Sequence, residues 1–468
     1  MWRPRIKYLA VQPSIAPDNV KENNMLRRTV GIDLAISAVQ VAQIFDDGVA
    51  VGKPIRFRLS AEDLRGFVAA VTQGVPAGVP IQAIMEPTGM AWFPVASWLK
   101  TAGVQVIRVK GQRVKALRQY LSEHAKTDLA DAHVLGALPS FGSRVLDPVH
   151  VPSPDHHALQ RLTKQRHRYQ EQICASRRRI LDLIRWACPA LEPILPDTMT
   201  RLTLAILAEF FDPHRVIKMR RGTLTRFVSQ NACGNHPRSG PFIEKLVQAL
   251  KESAHASLAL HGERVDFESL QFEVRQEVEL LRMLDHNIAE LEKQIEVLYE
   301  RQHPSDALRS IPGIGPTLAP LLVGVLAQAE RFRNERHVRG FCGLFPTKSS
   351  SGGIDRPGQR ITKSGNDRIK RALYVAADTA RKIDPDLAAV YWRLMVKKGH
   401  HHKQALCAVA TRLVNRIFLV LKTGKTYVLR DRDGRPITVA DGKRIVAELF
   451  TVPADIRRAR SRHIEAAA

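Results

Sequence analysis

The sequence predicts an α/β domain followed by a long, mainly helical remainder. Three observations carry this. Between residues 28 and 150 short apolar runs give three strands in succession and then alternate with amphipathic stretches. From residue 151 onward apolar residues recur three and four apart, the helical spacing. The chain has 468 residues, 44% hydrophobic and 25% charged, ordinary values with length enough for two or three domains.

Residues 1–27 read as a flexible lead-in. They are basic but lack the apolar core and small-residue cleavage site of a signal peptide. TVGIDLA, AVQVAQIF and VAVGKPIRF then read as three strands, the last two joined by the hairpin turn Asp46-Asp47-Gly48. SAEDLRGFVAAV reads as a helix with Ser60 as its N-cap. IQAIME is a buried strand, AWFPVASWLKTAG a helix closing on glycine, and VQVIRV a further strand. KGQRVKALRQYL and LADAHVLGAL read as helices. Three hairpin-linked strands followed by alternating helix and strand is the order of an RNase H-like fold.

Acidic residues occupy telling places in that order. Asp33 lies in the first strand, Glu86 ends the fourth, and Asp128 and Asp131 stand one turn apart at a helix start. Each has an ordinary explanation, Asp128 as an N-cap and Asp131 as a first-turn helix charge. Together, four carboxylates at strand ends and a helix start can hold two Mg²⁺ ions, which prefer oxygen ligands. Two such ions about 3.5–4 Å apart clamp the attacking and leaving oxygens of a phosphodiester.

Pro148 and VPSPDHH mark a boundary, and residues 151–305 read as a helical spacer. It opens with a long basic helix over 157–187 that carries Arg177, Arg178 and Arg179. Residues 190–260 read as mixed helix and loop, with RGTLTRFVSQNACGNHPRSG the most irregular part. A second long helix runs from Arg264 to Glu300, with Leu281, Leu284, Ile288, Leu291, Ile295 and Leu298 as a heptad seam. The seam can pair with residues 158–188 or with another subunit.

In residues 306–430, ALRSIPGIGPTLAPLLVGVLAQ reads as helix, turn and helix, a helix-hairpin-helix whose Gly313 and Gly315 would present backbone N–H groups to a phosphate. Arg331, Arg333, Arg336 and Arg339 follow. GLFPTKSSSGGIDRPGQRITKSGN then forms a polar Gly- and Ser-rich loop that no helix or strand interior accommodates. Lys126, Lys348, Arg356, Arg360 and Lys363 are the further candidates for nucleic-acid contact. His400, His401 and His402 are adjacent and cannot all face one metal ion. Residues 431–468 read as an ordered turn followed by a disordered basic tail.

The charge balance points to the partner. Lys and Arg number 71 against 46 Asp and Glu, a net charge of +25, with a pI near 10.2. Such a surplus implies a polyanion, and nucleic acid comes first. No run reaches the roughly 18 uninterrupted apolar residues of a spanning helix, which sets a membrane aside. The five cysteines are scattered and form no CxxC pair, so a reducing cytoplasm fits better than a disulfide scaffold or zinc site.

GIDLA, MEPTG and KTDLADAHVL together resemble the N-terminal domain of the DEDD-type insertion-sequence transposases of the IS110 group, a domain similar to Holliday-junction resolvases. GLFPTKSSSGG, GQRITKSGN and the stretch from Tyr391 to Tyr427 resemble the C-terminal domain of the same family. The resemblance spans about residues 28 to 430. It implies a DEDD tetrad of Asp33, Glu86, Asp128 and Asp131, with Lys126 and Thr127 completing the last motif. It also implies a serine nucleophile at Ser351, with Ser350 as the alternative. A composite site between subunits of a dimer that assembles to a tetramer, DNA substrates and a structured guide RNA follow from the family. A resolvase-like nuclease using only the carboxylates and water is the competing reading.

Overall fold

A computed structural model of the chain describes residues 26–35, 39–109, 111–120, 127–141, 148–195, 200–232, 240–347, 350–351, 354–355, 360–362 and 364–461. The chain divides into two compact units, residues 1–151 and 152–468.

The first unit is built on a five-stranded sheet. Strands β1 (Arg28–Asp33), β2 (Gln40–Asp46) and β3 (Val49–Phe57) form an antiparallel meander. Asp47 and Gly48 both have positive φ at the β2–β3 turn, the backbone a tight hairpin requires, and Gly48 meets it without a Cβ penalty. Helix α1 (Ala61–Thr72) follows, capped by the Ser60 side chain, which accepts from the Asp63 N–H. Strand β4 (Ile81–Met85), helix α2 (Trp92–Thr101), strand β5 (Gln105–Arg108), helix α3 (Gly111–Tyr120) and helix α4 (Asp128–Ala137) complete the unit. The strand order is β3-β2-β1-β4-β5, with β4 and β5 parallel to β1. This mixed sheet is consistent with an RNase H-like fold. One core under α1 and α2 includes Val30, Ile32, Phe67, Met85 and Leu99. A smaller one under α3 and α4 includes Ile84, Ile107 and Leu135. β1 and β4 thus bury side chains on both faces, as central strands do.

The second unit is almost wholly helical. Its spine is an antiparallel pair of long helices, α5 (Pro154–Ala187) and, later in the chain, Phe267–Gln302. The cross-pairs Asp155–Arg301, Arg166–Glu292 and Arg179–Glu277 fix their register. Between them come α6 (Arg201–Phe210), α7 (Pro213–Lys218), α8 (Arg221–Ala232) and α9 (Gly240–His261), so the segment expected to be mixed is mostly helical. Phe267–Gln302 is α10. Its seam is turned inward: Leu281, Leu284, Ile288 and Ile295 are buried, and α10 packs along α5 within the chain.

Two cores sit at opposite ends of this spine. Ile180, Ile184, Phe211, Val247, Val274 and Leu281 belong to one. Leu159 and Tyr299 join the other, built from α11 (Leu318–Leu326), α12 (Glu335–Cys342), α13 (Asp367–Ala380), α14 (Pro385–Trp392) and α15 (His402–Thr423). The expected first limb of the helical hairpin is only the 3₁₀ turn Ala307–Ser310. α15 is long and apolar enough to cross a membrane, yet half of that stretch is buried in this core. The tail is more ordered than expected up to residue 461, where α16 (Val439–Leu449) and α17 (Ala454–Ser461) pack near α14 and α15.

Candidate functional site

The acidic edge of the first unit follows from strand register. β1 and β4 run parallel with Ile32 opposite Met85, so the next residues, Asp33 and Glu86, leave neighbouring strands side by side. Adjacent strands lie about 5 Å apart. Carboxyl ends of parallel strands are where α/β sheets present chemistry.

α4 brings the other two acids to this edge. Thr127, rather than Asp128, is its N-cap: the hydroxyl accepts from the Ala130 N–H at 3.1 Å. Asp128 therefore lies in the first turn, exposed, with Asp131 one turn on and only 8% exposed. The helix presses directly onto β1, because a Cβ on Gly31 would lie 1.8 Å from the Ala132 carbonyl oxygen. The absence of a side chain at Gly31 thus sets the depth at which Asp131 sits.

Each acid has a particular setting. Asp131 Oδ1 is buried and makes no hydrogen bond, while Arg118 Nε on α3 stands 3.3 Å away, an ion pair without hydrogen-bond geometry. The Glu86 carboxylate lies against Gly111 at the start of α3, where a Cβ would come within 2.3 Å of Oε1. Asp128 faces a cleft of about 430 Å³ shared with Val41, Lys53, Arg56 and Thr127. Among the described residues no three Asp, Glu, His or Cys side chains converge closely enough to ligate one ion. The acids line one edge rather than forming a closed cluster. The donor set nonetheless suits a hard divalent cation: the donors are oxygens, and one buried carboxylate oxygen lacks a hydrogen-bond partner.

The serine loop belongs to the second unit. Its base is closed by an isolated bridge between Pro346 and Ile361 and by Thr347, whose N–H donates to the Arg360 carbonyl at 2.9 Å. Gly343 and Gly365 cross beneath it, and a Cβ on Gly365 would be 2.7 Å from the Gly343 Cα. Both have positive φ, and Lys370 Nζ donates to the Thr362 and Ser364 carbonyls there. Beyond this base, β6 (Ser350–Ser351) pairs with β7 (Ile354–Asp355), Ser350 opposite Asp355 and Ser351 opposite Ile354. Ser350 and Arg360 are exposed. Lys126, Lys348, Arg356 and Lys363 lie outside the described residues.

Two of the expected nucleic-acid contacts have structural duties. Arg331 donates to the Val325 and Leu326 carbonyls at the end of α11 and stacks on Phe332 and Phe341. Burial lowers its pKa to about 10. Gly313 packs onto α13, where a Cβ would lie 2.4 Å from the Ala376 carbonyl oxygen. Gly315 alone of the hairpin pair has open space where a side chain would stand. His401 caps α15, and His402 Nδ1 lies 2.6 Å from the Tyr391 hydroxyl. Sequence reasoning passed over Arg118, Gly111, Lys53 and Arg56. Lys53 and Arg56, in GKPIRF, were legible only as charges on a strand.

The first unit thus presents an acidic strand edge, and the second a serine loop on a braced base. Residues 30–189 match the DEDD transposase family of IS110 type, and residues 305–392 match the transposase IS116/IS110/IS902 family. The chain belongs to the IS110 family of transposases, enzymes of DNA transposition and recombination. It is similar to the 43.6 kDa protein of insertion element IS110 from Streptomyces coelicolor, 24% identical over 75% of this chain and 84% of that protein. The pilin gene-inverting protein of Moraxella bovis is 26% identical over 39% of this chain and 58% of its own length. A family 20 transposase of Pseudomonas aeruginosa is 24% identical over 74% of this chain and 81% of that protein. A DEDD domain goes with dependence on a divalent metal.

Proposed function

We propose that this chain excises and inserts an insertion sequence by serine attack on DNA phosphodiesters, assisted by Mg²⁺ and directed by a structured RNA. The observation that supports this most is the presence, in one chain, of a four-carboxylate strand edge and a serine loop held on a braced base. Hydrolysis needs only the first. Asp33, Glu86, Asp128 and Asp131 would hold the metal as a pair of Mg²⁺ ions. When bound, such a cation polarises a phosphodiester and offsets its charge.

The Ser351 hydroxyl, with Ser350 as alternative, attacks phosphorus. Its proton passes to a base, the P–O bond to one deoxyribose breaks, and that sugar oxygen leaves with the electron pair and takes up a proton. The phosphoserine ester retains the bond for rejoining, which reversal of the same step achieves. A serine hydroxyl is a weak nucleophile until activated, so the acids and the loop must meet. Lys348, Arg356, Arg360 and Lys363 would neutralise charge around the phosphate. In the family the two halves come from different subunits, and assembly as a dimer and then a tetramer is part of this reading. The work is done where the DNA is, in the cytoplasm. A relative named for inverting a gene also favours chemistry that conserves bonds, since an inverted segment must be rejoined at both ends.

The test is to trap the ester. The full chain is incubated with Mg²⁺, labelled element-junction DNA and the transcript of the element's non-coding end, then run on a denaturing protein gel. A DNA-linked band that Ser351→Ala and Asp128→Ala both abolish supports the reading. Free nicked DNA, unchanged in Ser351→Ala, would leave a carboxylate nuclease that uses water.

A further inference from the structure

The edge strand β3 carries two cations that the transposase reading leaves without a task. Asp33 on β1 lies directly opposite Val41 on β2, and Val41 lies directly opposite Arg56 on β3. Opposed residues in antiparallel pairs point to the same face, so Asp33, Val41 and Arg56 form one row across the sheet. The row places Arg56 two strands from the catalytic acid, about 10 Å at the usual strand spacing. Arg56, Val41 and Lys53 all line the cleft of about 430 Å³, whose other wall is Thr127 and Asp128 at the start of α4. Both cations are exposed.

We propose that Lys53 and Arg56 form a clamp for a nucleic-acid backbone phosphate, one neighbouring the phosphodiester that is cut. The proposal rests on the reading of the acidic edge as the cutting site. The chemistry fits a phosphodiester: Arg56 offers a planar fork of N–H donors and Lys53 a compact charge. The negative charge of Asp128 on the opposite wall would repel a bare phosphate, and two cations outweigh it. Seated there, a strand would run along the row from β3 towards Asp33 and be held in line for attack. Lys53 and Arg56 are thus positioning residues, not catalytic ones. The plain competitor is that charges on an exposed edge strand merely prevent edge-to-edge pairing.

The experiment uses the full chain and compares wild type with Lys53→Gln/Arg56→Gln. Binding to a duplex spanning an element end and its flank is measured over a range of salt concentrations. The same series is run with the transcript of the element's non-coding end. Loss of the one phosphate contact made by the clamp should reduce the slope of log K against log salt by about 0.9 on duplex DNA, at roughly 0.9 per phosphate. Lys53→Arg/Arg56→Lys should restore it. A smaller slope with DNA assigns the clamp to the DNA strand, and one with the transcript alone assigns it to RNA. Equal slopes and affinities for wild type and the double Gln variant with both probes would overturn the clamp. Trapping of the serine ester in parallel separates the two ideas. A smaller slope with no ester in wild type would keep the clamp and discard the serine mechanism. Unchanged slope with normal ester would do the reverse.

Discussion

Gly31 is the residue on which the acidic edge most directly depends. A methyl group there would fall 1.8 Å from the Ala132 carbonyl, backbone that cannot yield without moving α4. Gly31→Ala should cost at least the ~1–3 kcal/mol typical of overpacking. It should also displace Asp131 and abolish strand joining, read by urea unfolding and by the ester assay. Gly315→Ala supplies the contrast, since nothing stands within 4 Å of its would-be Cβ. It should leave stability unchanged, and any loss of DNA affinity would then report a phosphate contact at the hairpin. The cysteines allow a second residue-level prediction. Burial raises the Cys188 thiol to about 11 and the Cys342 thiol to about 12, while Cys174 is exposed. Thiolate is the reactive form. Maleimide at mildly alkaline pH, followed by peptide mapping, should tag Cys174 in the native protein and reach Cys188 and Cys342 only after denaturation. Equal tagging of Cys342 and Cys174 would refute the buried setting.

At the scale of elements, α10 joins the two cores of the second unit. Leu281 and Leu284 are buried towards one core and Ile295 and Tyr299 towards the other. Leu281→Ala should cost about 2–5 kcal/mol. The exposed pair Arg166–Glu292 should contribute under about 1 kcal/mol when removed. Acid should weaken the same unit. His156 and His157 on α5, His303 after α10 and His402 on α15 all have pKa values below the ordinary 6.5, chiefly through burial. As pH falls through 6.5 the unfolded chain takes up these protons before the folded one, so stability drops from there down through the folded pKa values. His402→Gln should flatten part of that decline in a urea-midpoint series, and an unchanged series would remove His402 from the account. These elements also show what the sequence could disclose. The strands of the first unit were legible because alternation and the Asp-Gly turn are local. The inward turn of the α10 seam was not, because heptad spacing is the same whether the partner helix lies in the chain or in another molecule. Arg331 was read as a DNA contact because an arginine cluster looks alike whether solvated or capping. Only the carbonyls of α11 distinguish it. The ion pair of Arg118 with Asp131 joins two helices and has no local signature.

At the scale of the whole molecule, the two units own separate cores. Val30, Ile32, Phe67 and Leu99 serve the first, while the helical spine and its two clusters serve the second. A region with its own core can unfold as its own cooperative unit. A chain of this kind departs from single two-state behaviour. Calorimetry should therefore resolve two transitions, and the substitutions above identify them. Gly31→Ala lies in the first unit and should lower one transition alone. Leu281→Ala lies in the second and should lower the other alone. Acidification should act mainly on the transition that Leu281→Ala moves, because the four shifted histidines all lie beyond residue 152. A single transition shifted equally by both substitutions would show the units to be thermodynamically coupled. That outcome would matter for chemistry. The proposed serine mechanism needs both the acidic edge and the serine loop, and units that keep their own stability while they move would suit it.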